Sequence, residues 1–106
     1  MYAGNTNEFA HIEFDFTQTN SVKCTFLNKR DTSVKSCEIS YWPGQTCLNP
    51  SSSQHIHYGN PTVANTVMIN LPQLYFQQDH SVYCYNLTAR NQTYEISVSG
   101  RFTSGI

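Results

Sequence analysis

Tyr83-Cys84-Tyr85-Asn86-Leu87-Thr88-Ala89 sets Tyr, Tyr, Leu and Ala on every second residue, with Cys, Asn and Thr between them. Successive side chains of a strand point to opposite faces, so this run reads as a strand with one apolar and one polar face. The period continues on either side of it. Tyr94, Ile96, Val98, Gly100 and Phe102 alternate with Glu95, Ser97, Ser99 and Arg101, after a short connection at Arg90-Asn91-Gln92. Upstream, Val67, Ile69 and Leu71 alternate with Thr66, Met68 and Asn70, and Cys37, Ile39 and Tyr41 with Glu38 and Ser40. Val22, Cys24 and Phe26 alternate with Lys23 and Thr25, and Ala10, Ile12, Phe14 and Phe16 with His11, Glu13 and Asp15. Six half-solvated strands of this kind belong to antiparallel sheets.

A weaker seventh strand is expected in Gln54-His55-Ile56-His57-Tyr58, between Asn49-Pro50-Ser51-Ser52-Ser53 and Gly59-Asn60-Pro61, two breaker clusters. Asn28-Lys29-Arg30-Asp31-Thr32 reads as a polar loop, and Trp42-Pro43-Gly44-Gln45 as a turn. Seven short strands at this spacing predict a seven-stranded, two-sheet antiparallel β-sandwich, an all-β fold. Residues 1–7 are expected as a flexible lead-in and residues 8–106 as one domain.

Composition narrows the function classes. Only 12% of the 106 residues are charged and the formal net charge is −1, which gives no basic footprint for nucleic acid. Ser, Thr, Asn and Gln account for 39 residues and supply the polarity instead, a balance commoner outside the cell than in cytosolic enzymes. No stretch approaches the ~20 apolar residues of a membrane helix, so no membrane insertion is expected from this segment. The start, Met1-Tyr2-Ala3-Gly4-Asn5, has neither the basic segment nor the apolar run of a signal peptide. The expectation is therefore a piece of a longer secreted or membrane-anchored protein.

Four cysteines, Cys24, Cys37, Cys47 and Cys84, make an even count with no C-x-x-C pair, which favours two disulfides over a zinc or redox site. Three pairings are possible. Cys24 and Cys37 fall on inward faces of consecutive strands, equidistant from the loop between them. Cys84 begins its strand at the end where Cys47 should lie. Cys24–Cys37 with Cys47–Cys84 is thus preferred, ahead of Cys24–Cys84 with Cys37–Cys47. Two sequons, Asn86-Leu87-Thr88 and Asn91-Gln92-Thr93, are candidate N-glycosylation sites.

Two stretches resemble fibronectin type III domains. Tyr83, Leu87 and Ala89 match the Tyr, aliphatic and Ala spacing of that family's sixth strand, and Cys37-Glu38-Ile39-Ser40-Tyr41 with its following turn is similar to the third. The likeness spans roughly residues 8–104. The family's usual Trp on the second strand is absent, with Cys24 near that place, and the Leu-x-Pro-Gly-Thr run before the strand-six Tyr is missing. An immunoglobulin domain is the rival, with a Cys24–Cys84 bridge across Trp42. It fails on facing. A core bridge from Cys84 would turn Tyr83, Tyr85 and Leu87 outward.

The fibronectin-like resemblance implies a non-catalytic extracellular interaction or spacer module of a larger adhesion or receptor-like protein. Its expected partners are other proteins and neighbouring domains of the same chain. Trp42 follows inward Tyr41, so it is expected outside or in the turn, as a candidate partner anchor. The same exposed aromatic would serve the alternative, a secreted carbohydrate- or small-ligand-binding sandwich. His55 and His57 share a strand face without an identifiable third metal ligand, and the acids read as solvated edge charges. No G-x-S-x-G, P-loop or H-E-x-x-H pattern occurs, so neither an enzyme, a cofactor nor a metal is expected.

Overall fold

A computed structural model describes residues 2–16, 20–44, 47, 54–61, 65–71 and 82–103. Eight strands run through them in chain order: β1 (Tyr2–Thr6), β2 (Ala10–Asp15), β3 (Ser21–Phe26), β4 (Ser36–Pro43), β5 (His55–Gly59), β6 (Thr66–Asn70), β7 (Val82–Arg90) and β8 (Glu95–Thr103). The first sheet has the order β1-β2-β3-β6 and the second β5-β4-β7-β8, with every pairing antiparallel. There is no helix among the described residues, and none there is long and apolar enough to cross a membrane.

The alternating positions become the core. Ala10, Ile12 and Phe14 from β2, Val22, Cys24 and Phe26 from β3, and Val67 and Ile69 from β6 face Cys37, Ile39 and Tyr41 of β4. Tyr83, Tyr85, Leu87 and Ala89 of β7, Ile96 and Phe102 of β8, and the flanking Phe9 and Leu71 join them. Aromatic rings fill one end. Phe14 meets Tyr85 and Phe102 edge-on with centroids 5.1 and 5.2 Å apart, and Tyr83 stacks on Phe102 at 5.7 Å. Offset and edge-on geometry suits the ring quadrupole and adds to the burial gain.

Both disulfides are formed, Cys24–Cys37 and Cys47–Cys84, the pairing preferred from strand facing. The first joins the inner faces of the two sheets, with both cysteines fully buried. The second leaves β7 on its outer face, because Cys84 has the parity of Asn86 and Thr88.

Two expectations need correction. The strand count is eight, and the extra strand comes from the supposed flexible lead-in: residues 2–6 are β1, paired to β2 from Tyr2↔Asp15 to Thr6↔His11. Edge pairing supplies what Tyr2-Ala3-Gly4-Asn5-Thr6 lacks in apolar alternation. Thr6 Oγ1 bonds His11 Nδ1, and Asn5 Nδ2 donates to the Ser97 carbonyl of β8 at 3.1 Å. Tyr94 is the lesser case, since β8 begins at Glu95 and Tyr94 is exposed in the hairpin.

This packing ranks two substitutions. Phe14→Ala, at a fully buried ring, should lower unfolding free energy by about 3–5 kcal/mol. Met68→Ala, on the outer face of β6, should change it by less than about 0.5 kcal/mol. Urea denaturation of the oxidised protein measures both. Equal losses would show that the two faces are misassigned.

Candidate functional site

The β3–β4 connection is the most organised polar region among the described residues. Lys35 precedes β4 and is buried, an unusual place for an ammonium. Its Nζ donates to the backbone carbonyls of Asp31 and, at 3.1 Å, Ser33, so the loop wraps its own cation. The Asp31 carboxylate accepts from the Ser33 backbone N–H at 2.9 Å and from Asn91 Nδ2 at 3.0 Å. Asn91 Nδ2 also donates to Ser33 Oγ at 3.0 Å. Hydrogen bonds from Ser33, side chain first and then backbone, hold the Asp31 carboxyl below its ordinary value, with Lys35 and Asn91 adding to the effect.

Asn91 works in two directions. Its Oδ1 accepts from the backbone N–H groups of Thr93 and Tyr94 at 2.8 and 2.6 Å, closing the β7–β8 hairpin as an Asx turn. Its Nδ2 reaches across to the neighbouring loop. At the loop start, Asn28 Oδ1 accepts from the Arg30 N–H at 3.1 Å, and the Asp31 N–H bonds the Asn28 carbonyl at 3.2 Å. These bonds leave Lys29 and Arg30 exposed, with the apolar Leu27 and Val34 exposed on either side. Two of the chain's six Lys and Arg residues thus stand together on one braced loop. A depression of about 120 Å³ lined by Glu8, Phe9, Asn28, Asp31 and Tyr94 lies beside it.

The residues singled out from the sequence are scattered by comparison. Trp42 has the outward parity expected, but it is only 7% exposed and sits opposite Cys84 in the β4–β7 ladder. Cys84 is bonded to Cys47 on this face, and the buried Trp42 offers no exposed indole to a partner or a sugar. Asn86 is exposed on the outer face of β7. Asn91, the second sequon, has its amide committed to the network above.

His55 and His57 lie over Tyr41, with ring centroids 5.0 and 5.7 Å away. The Tyr41 hydroxyl is hydrogen-bonded to His57 Nε2 at 3.2 Å. Burial, and secondarily the charge of His55, holds the His57 imidazole below its ordinary value. No group of three or more His, Cys, Asp or Glu among the described residues is placed to hold a metal. Glu13 and Asp15, with Ser21, Lys23 and Met68, border a shallow, open depression of about 270 Å³ on the outside of the first sheet. Glu13 also lies 3.3 Å from His11 Nε2.

The loop network escaped sequence reading because its partners are 58 and 60 residues apart. The one local sign was a cation, Lys35, directly before an alternating strand. No family model, curated protein or solved structure matches the chain.

Asn91→Ala should lower the melting temperature modestly, since it removes bonds to Asp31, Ser33 and two hairpin N–H groups that water can partly replace. Hydrogen exchange should quicken at Ser33, Thr93 and Tyr94 while β2 and β3 keep their protection. Unchanged exchange at Ser33 would show that the two loops are not latched.

His57 gives the sign of an acid effect. Its folded pKa is lowered, so below the unfolded value near 6.5 the unfolded chain binds more protons and stability falls with pH. The loss should begin as pH drops through about 6.5 and level off below the folded value. His57→Gln should flatten that segment of a melting-temperature profile taken between about pH 8 and 5. A variant profile that keeps the full slope would assign it to other groups.

Proposed function

We propose that this domain is a non-catalytic extracellular interaction and spacer module of a larger cell-surface adhesion or receptor-like protein, with a fibronectin type III-like sandwich as its frame. One observation carries the reading: the Cys24–Cys37 disulfide closes the β3–β4 loop that displays Lys29 and Arg30. Stable disulfides belong to oxidising compartments, which supports a secreted or ectodomain location. A binding loop whose shape is set before contact loses little conformational entropy on docking, which is what a partner-recognition surface needs.

Strand order supports the frame. Counting from β2, the fourth strand of an immunoglobulin constant domain would join the sheet of the first, second and fifth. Here the fourth, β5, pairs with β4 in the other sheet. The Cys24–Cys37 bridge likewise lacks the immunoglobulin register, in which Cys24 would meet Cys84.

The loop favours a protein partner with an acidic rim around an apolar contact. Lys29 and Arg30 would steer the encounter, and Leu27 and Val34 would bury apolar area against the partner. The ligand-binding alternative is less supported, because the exposed aromatic it relied on, Trp42, is buried.

The test is a binding screen of the secreted, oxidised protein against a panel of extracellular protein domains and a glycan array. A protein ligand should be found whose affinity falls at least about tenfold in the Lys29→Glu/Arg30→Glu variant. That variant should melt within a degree or two of the parent, because neither side chain joins the network that braces the loop. Binding to glycans alone, or protein binding indifferent to the charge reversal and to salt, would overturn the reading.

A further inference from the structure

The outer face of the second sheet carries a row running Ile56, Ser40, Asn86 and Ser99 across β5, β4, β7 and β8. Asn86 is exposed, and both of its directly paired cross-strand neighbours are serines. Beyond Ser40 the edge strand β5 exposes two large apolar side chains on the same face, Ile56 at 45% and Tyr58 at 73%. An edge strand with exposed apolar residues is a template for unwanted pairing, and natural proteins cover or charge such edges. Here Glu38, opposite Tyr58, is the nearest charge in the ladder.

The geometry points to an N-linked oligosaccharide on Asn86, and not on Asn91, whose first two N-acetylglucosamine units lie over Ser40 and cover Ile56 and Tyr58. This rests on the extracellular reading above. Neighbouring strands are about 4.8 Å apart, so Ile56 lies roughly 10 Å from Asn86 across the sheet, a span two linked pyranoses cover. The C–H face of a pyranose and the acetamido methyl are apolar and suit Tyr58 and Ile56, while the sugar hydroxyls stay in water. In the transfer, Asn86 Nδ2 attacks C1 of a polyprenyl-diphosphate oligosaccharide. The Nδ2–C1 bond forms, the C1–O bond breaks, the diphosphate leaves and Nδ2 gives up one proton. Thr88 is only 3% exposed in the fold, so the sequon is modified before β7 is fully packed.

A glycan on Asn91 is incompatible with the finished fold. Glycosylation leaves Nδ2 one hydrogen, and Asn91 Nδ2 already makes two hydrogen bonds, to Asp31 and Ser33. A glycan there would break the latch between the hairpin and the β3–β4 loop.

The experiment uses the chain secreted from eukaryotic cells and mapped as non-reduced peptides by mass spectrometry. Asn86 should be occupied and Asn91 bare in molecules carrying both disulfides. Asn86→Gln, made in the same cells, should melt about 3–5 °C lower and bind roughly twice as much of an apolar-surface dye. In an Ile56→Thr/Tyr58→Thr background the glycan should no longer change either reading. Nuclear Overhauser contacts between the N-acetyl methyl and Ile56 would place the sugar without any variant. Secreted, bridged protein that is bare at Asn86, or glycosylated at Asn91, overturns this inference and leaves the extracellular reading standing. So does a glycan effect that is equal in the Thr/Thr background. Secreted protein with free thiols overturns both.

Discussion

The Cys24–Cys37 bond is the constraint on which the remaining structure depends. It ties the inner face of β3 to the inner face of β4, and thereby one sheet to the other. Because side chains alternate, fixing one inward residue on a strand fixes the facing of all the others. With Cys37 inside, Ile39 and Tyr41 are inside too; with Cys24 inside, so are Val22 and Phe26. The neighbouring register then carries Leu87 and Ala89 opposite Ile39 and Cys37, which turns Cys84 outward and frees it to meet Cys47. The two disulfides are thus not independent choices. One occupying the core requires the other to lie outside it.

The same bond bears on the loop it closes. A cross-link with a sequence separation of 13 restricts the unfolded chain by about 3 kcal/mol in the loop-entropy model. Within that ring the residues have few ways to satisfy their polar groups, and Lys35 turns inward to gather carbonyls that would otherwise face solvent singly. Burying an ammonium is costly unless hydrogen bonds replace its water, and the Asp31 and Ser33 carbonyls do so here. Asn91 then couples this ring to the next hairpin. Charge is scarce in this chain, and one of its few cations serves to shape the loop that exposes two others.

Much of this was legible from parity alone: the alternating runs around Tyr83–Ala89, the inward cysteines, the outward Asn86. What parity cannot say is what lies over an outward residue. Trp42 faces out as its position after Tyr41 requires, yet it is buried, beside Cys84 of the outer disulfide in the β4–β7 ladder. Nor can alternation find β1. Tyr2-Ala3-Gly4-Asn5-Thr6 has no apolar face to read, and its place is set by the ladder with β2 and a single amide reaching β8. Asn91 was legible as a sequon and as part of a short hairpin connection, but not as a latch. Its bonds depend on two loops meeting in space, which no local pattern encodes.

The two open sides of the sandwich are closed by different means, and the difference follows from side-chain size. On one side β1 lies against the nine-residue β8, and Asn5 occupies a carbonyl of that edge that would otherwise stand free. On the other side, β5 approaches β6 so closely that a Cβ on Gly59 would stand 2.8 Å from Val67 Cγ1, and only glycine fits. Polar bonding needs an amide that can span the gap, whereas close approach needs no side chain at all. Covering β8 protects the longest exposed ladder from pairing with another chain. The shorter β5 gains no such cover from the strands around it. Its outward Ile56 and Tyr58 therefore mark one part of the surface where the fold leaves apolar area to water, as Leu27 and Val34 do on the β3–β4 loop.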